Sequence, residues 1–214
     1  MTGLVRQTIA CAVLVMAAAV PWTLARRAQP TVVEAGFWFD PVTFTSARLG
    51  GALTAGDRAT IEDVARAELG RAFAGLPIRL SDRRDATYRL RVVQAVYDPR
   101  MRGRWGVAGA SQAVPGLGGQ GLVSFDFLAG GATANAPEAA TRAEIVAAIG
   151  RGVGRTAVHE LTHQLLPLAP IHDSRDRRSY EYESAARREQ YFGDMRWNLA
   201  RPLLAAKFGS GSGR

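Results

Sequence analysis

One stretch, from Thr141 to Leu165, constrains this chain more than any other. Thr141 and Glu144 form the capping box T-R-A-E, in which each satisfies a backbone N–H of the other's turn and so starts a helix. Ile145, Ala148, Ile149, Val153, Ala157, Leu161 and Leu165 then recur at helical spacing, and Pro167 stops the pattern. Three glycines, Gly150, Gly152 and Gly154, each cost a helix roughly 1 kcal/mol relative to alanine. Either the helix breaks there, or a neighbouring strand packs so closely that a side chain would clash. The helix ends in His159-Glu160-Leu161-Thr162-His163, and all three histidines of the chain fall within HELTHQLLPLAPIHD.

The four-residue step from His159 to His163 places both imidazoles on one helix face, one turn apart, where they can share a metal ion. Glu160 follows the first of them, beside the ion rather than on it, where it can take a proton from an activated water. The expected ion is Zn2+ with a catalytic role, because structural zinc sites usually recruit cysteine and the single cysteine, Cys11, lies far off in an apolar N-terminal run. The third metal ligand expected is His172. Asp173, Asp176, Glu181 and Glu183 stay open as alternatives.

A chain of 214 residues with 47% hydrophobic composition is long enough for one well-buried domain. That domain is expected over residues 31–208, with a flexible tail at 209–214. Residues 1–25 read as a signal peptide or, uncleaved, as a membrane anchor, which implies export and a periplasmic, secreted or cell-surface location. Beyond that leader no cysteine remains, so no disulfide is expected. The net charge of +8 invites a nucleic-acid reading. However, the arginines are scattered among acidic neighbours, as in SDRRD and DSRDRR, and no aromatic-basic pattern accompanies them, so nucleic acid is not expected as a partner.

Along the rest of the chain, FWFDPVTF predicts a strand or packing arm within residues 31–53. Thr54 and Asp57 cap an amphipathic helix carrying Ile61, Val64, Ala65, Leu69, Ala72 and Phe73, which ends near Gly75 and Pro77. PIRL predicts a short strand. TYRLRVVQAV alternates Tyr88, Leu90 and Val92 against Arg89 and Arg91, as a half-buried strand does. Residues 97–121, rich in glycine and without periodicity, predict a long loop near a cleft. LVSFDFL predicts a strand with Val123, Phe125 and Phe127 on one face. A second helix is conceivable at YEYESAARREQ, and DMRWNLARPLLAAKFG predicts a closing helix.

This order of parts, together with HELTH, resembles the metzincin group of zinc metallopeptidases over about residues 54–208. The resemblance implies an α+β zincin-like domain with a small mixed sheet, an N-terminal helix, an active-site helix and a C-terminal helix. It implies a third histidine after a turn, which His172 supplies, with Leu166 where that group has glycine and three extra residues in the turn. It also places Glu181 at the Met-turn methionine, with Met195 as a later candidate for a methionine beneath the metal. LVSFDFL would be the strand that pairs with an extended peptide substrate.

The function expected is zinc-dependent hydrolysis of a peptide or protein substrate, with Glu160 as general base and Tyr180 or Tyr182 as hydrogen-bond donor to the developing oxyanion. The alternatives are an exported, zinc-stabilised binding or processing protein without catalysis, and an amidase on non-peptide cell-wall material. Cleavage preference and oligomeric state are not legible.

Overall fold

A computed structural model of the chain describes residues 32–97, 106–173 and 175–209. The predicted leader at 1–25 and tail residues 210–214 lie outside the described residues, and among those described no helix is long and apolar enough to cross a membrane.

The fold is α+β. Strands β1 (Val33–Phe39), β4 (Ile78–Ser81), β5 (Tyr88–Val93), β6 (Gly109–Val114) and β7 (Gly118–Ser124) form a five-stranded sheet in the order β4-β1-β5-β7-β6. The first four of these are parallel to one another, and β6 runs antiparallel to β7 at the edge. Short strands β2 (Thr45–Ser46) and β3 (Gly51–Ala52) make a separate antiparallel pair. Five α-helices are described: α1 (Ala55–Ala72), α2 (Phe125–Asn135), α3 (Arg142–Leu165), α4 (Glu189–Phe192) and α5 (Ala200–Phe208). Parallel neighbours need long crossovers, and α1 supplies the one between β1 and β4.

Both capping boxes read from the sequence are present, Thr54 with Asp57 on α1 and Thr141 with Glu144 on α3. They are tied together: Arg142, the first residue of α3, donates to Asp57 at 2.6 Å and to the Ala52 carbonyl at 2.8 Å. Helix α3 lies across β5, β6 and β7 and against α1. Ile145, Ile149, Val153, Leu161 and Leu165 are fully buried there with Phe37, Leu90, Val123, Ile61 and Leu69. Each such side chain contributes about 1.5–3 kcal/mol of burial relative to exposure.

The 24-residue helix α3 is unbroken. Close approach explains its glycines, although the neighbours are helix α1 and Tyr191 rather than a strand. A Cβ on Gly150 would stand 2.7 Å from Val64 Cβ, and one on Gly154 would stand 2.7 Å from the Ala65 carbonyl. A Cβ on Gly152 would meet the Tyr191 ring at 2.6 Å.

Five expectations are corrected. Much of 97–121 is no loop but the β6–β7 hairpin, closed through Gly116 and Gly118, whose φ of 80° and 104° suit glycine. Its glycines again make room: a Cβ on Gly119 would lie 2.7 Å from Gln164 of α3. LVSFDFL is not one strand, because β7 stops at Ser124 and Phe125 opens α2. Nor is β7 an edge; it lies between β5 and β6, and β6 is the edge strand on that side of the sheet. Finally, YEYESAARREQ is irregular up to the four-residue α4, and DMRWN precedes the closing helix α5 instead of forming part of it.

Candidate metal centre

His159 and His163 leave the last two turns of α3, which ends at Leu165 as the Leu166 amide bonds the Thr162 carbonyl at 2.8 Å. The chain then turns, and buried Ile171 anchors it to the core so that the next residue, His172, faces back to the helix. Nε2 of His163 is 3.1 Å from Nε2 of His159 and 3.0 Å from Nε2 of His172. Three nitrogens at about 2.0–2.1 Å from a tetrahedral zinc would be roughly 3.3 Å apart, so the three tips converge as one ligand set would. Among the described residues this is the one group of three His, Cys, Asp or Glu side chains so placed.

Burial keeps the two helix histidines, His159 and His163, neutral, as ligation requires. His159 is pushed down to about 3, first by loss of solvent and then by His163. His163 is pushed down to about 4 for the same first reason, with His172 adding to it. The tautomer of His159 is also fixed. Its Nδ1 lies 2.9 Å from the carbonyl oxygen of Tyr180, which only accepts, so Nδ1 carries the proton and Nε2 presents its lone pair. Tyr180 is held in turn, as its hydroxyl donates to Glu68 Oε1 at 3.1 Å inside the core. Glu68 also receives Arg155 Nε at 2.9 Å and Arg71 Nη1 at 2.6 Å.

Glu160 is buried beneath the edge strand. A Cβ on Gly109 would lie 2.6 Å from its Oε1, so only glycine lets β6 pass there. Loss of solvent raises its carboxyl to about 7, the range in which a group both takes and returns a proton at neutral pH. The Ser111 hydroxyl donates to the Glu160 carbonyl at 2.9 Å and pins β6 to the helix. A cavity of about 670 Å³ opens over these groups, lined by Gly109, Ala110 and Ser111 of β6 and by Tyr182 and Arg187.

No protein-family model and no curated protein matches the chain. The chemistry is therefore argued from the residues themselves. His159, Glu160, His163 and His172 come together as the sequence reading expected. The alternative third ligands are placed otherwise. Asp173 accepts from the Arg175 amide and Asn198, and Asp176 from Arg196 and Asn198. Glu181 accepts the amides of Asn198, Leu199 and Ala200 at 3.0, 2.9 and 2.7 Å, so it caps the start of α5 and does not underlie the histidines. Glu183 stands exposed at the cavity rim. Met195 packs half-buried against the core outside the cavity wall. Tyr180 serves through its carbonyl, with its hydroxyl engaged by Glu68, whereas Tyr182 lines the cavity with its ring 4.6 Å from the Arg187 guanidinium. Sequence reasoning missed Gly109, Ser111, Glu68, Arg155 and Arg187. None of these carries a local motif; Gly109, Ser111, Glu68 and Arg155 matter through partners 49 to 112 positions away, and Arg187 through the lining of the cavity.

Proposed function

We propose that this chain is a zinc-dependent peptide hydrolase with a zincin fold of metzincin-like type. The observation that carries the reading is the convergence of the three Nε2 atoms beside the buried carboxyl of Glu160. The convergent Nε2 set, with the His159 donor fixed by the Tyr180 carbonyl, fits zinc, and His159, His163 and His172 would hold it. When bound, zinc supplies a Lewis acid that polarises a carbonyl and acidifies water.

The chain's own residues do the rest. Glu160 accepts the proton of the attacking water at a carboxylate oxygen and returns it to the leaving amine nitrogen, so the carboxylate is regenerated each turn. A carboxyl poised near 7 suits both transfers. Along the outer side of β6 no strand is paired among the described residues, so its free backbone groups can align an extended peptide as an added strand. Gly109, Ala110 and Ser111 would then run the peptide past Glu160. Tyr182, also lining the cavity, supplies a hydroxyl for the developing oxyanion.

The test is metal content and cleavage of an unstructured protein substrate by the full chain, as wild type, Glu160→Gln and His172→Ala. We expect one zinc per wild-type chain, retained zinc with kcat/KM lowered about 100-fold or more in Glu160→Gln, and weakened zinc in His172→Ala. Undiminished cleavage by Glu160→Gln would overturn the assignment of the base. Bound zinc with no cleavage of any substrate would leave a non-catalytic metal protein.

A further inference from the structure

The lining of the cavity carries a cation that the hydrolytic chemistry leaves unused. Arg187 is 3% exposed, and among the described residues no carboxylate lies within ion-pair distance of it. Its guanidinium donates once from each nitrogen, and only to neutral main-chain oxygens: Nε to Arg177 at 2.6 Å, Nη2 to Ser179 at 2.9 Å, and Nη1 to Ser184. One N–H on each terminal nitrogen is left without a protein acceptor among the described residues. The nearest carboxylate in its field, Glu189, is bound by Arg177 at 3.2 Å. Arg155, the other arginine of the wall, is neutralised by Glu68 at 2.9 Å.

Buried cations are ordinarily matched by carboxylates, since charge removed from water is costly. Here the match is missing at the wall of the cavity that holds the histidines, and the lack of water pulls the guanidinium down to about 10.

We infer that this part of the cavity is a subsite for a carboxylate-bearing side chain, aspartate or glutamate, adjacent to the scissile bond, with Arg187 as its specificity-determining residue. The inference deepens the hydrolase reading and rests on it. An incoming carboxylate would accept the spare N–H groups of Arg187 and supply the missing countercharge, while a lysine side chain there would be repelled.

The experiment uses the zinc-loaded full chain with a library of blocked peptides, followed by pairs of substrates differing only in aspartate against asparagine. We expect enrichment of acidic residues at one position beside the cut, and about tenfold or greater kcat/KM for aspartate over its isostere. Arg187→Gln, folded and with unchanged zinc content, should lose that ratio. Equal turnover of the pair by wild type overturns the inference, as does a folded Arg187→Gln that keeps the preference. Should Arg187→Gln not fold, the wild-type ratio decides alone. If wild type cuts no peptide, the hydrolase reading falls, and fluorescence anisotropy of the same labelled pair decides the subsite: tighter aspartate binding sustains it and equal binding overturns it.

Discussion

His159 depends on residues from two other segments for its orientation. Its Nδ1 proton goes to the Tyr180 carbonyl, and the Tyr180 hydroxyl is tethered to Glu68 of α1. Removing that hydroxyl leaves the ring and the carbonyl but frees the segment that carries them. Tyr180→Phe is therefore expected to weaken zinc about tenfold, as loss of partners behind a metal ligand typically does, with little change in the circular dichroism spectrum. Competition with a chromophoric chelator would measure it, and an unchanged affinity would remove Tyr180 from the support of the centre. Legibility at this scale was uneven. H-E-x-x-H announces itself because helical periodicity alone brings its ligands together. Glu68 and Arg187 do not, since a buried carboxylate or guanidinium reads in sequence like any solvated one.

At the scale of elements, α3 carries the design, and its glycines set how closely α1 can approach. A methyl on Gly154 would run into the Ala65 backbone, so Gly154→Ala is expected to cost about 1–3 kcal/mol by overpacking. Gly70, also helical but with open space around its Cβ direction, is the control. Gly70→Ala should instead stabilise by about 0.5–1 kcal/mol through helix propensity. Urea unfolding of both variants checks the pair, and equal shifts of the same sign would contradict the packing account. The same physics explains what the sequence concealed. Capped, apolar helices α1 and α3 were legible, and so was β5 with its alternation. The hairpin GASQAV and GGQGLVS was not, because glycines that admit Glu160 and Gln164 erase the period-two signal by which strands are recognised. Phe125 and Phe127 kept strand spacing while belonging to a helix.

Across the whole molecule, charged side chains fasten the helix ends. Arg142 joins the starts of α1 and α3 through Asp57, and its guanidinium holds that carboxyl down at about 2. Asp176, bonded first by Asn198 and then by backbone and Arg196, is likewise at about 2. Both folded-state values lie below the unfolded one near 3.8, so their stabilisation is complete above about pH 4 and is lost as pH falls toward 2. Acid titration of the unfolding midpoint should show this decline, with a shallower slope in Arg142→Gln; an equal slope would exclude Asp57 as a source. At the other ends, Arg201 bonds the last carbonyls of α1 near Ala72, and Lys207 bonds the Leu165 carbonyl that ends α3. The stretch 175–199 between them is irregular apart from α4 and is secured mainly by side chains, and with zinc bound as proposed above His172 would tie its start to α3. Chelation should thus raise its susceptibility to limited proteolysis while α3 and the sheet stay protected, as mapped by mass spectrometry.

That His172 reaches the centre from beyond the turn also has a temporal meaning. During synthesis the sheet and α3 emerge first, carrying only His159 and His163. The third imidazole joins them only when residues 171–172 arrive and fold back, so on the zinc-binding reading proposed above tight capture of an ion would be a property of the chain only after His172 has been made.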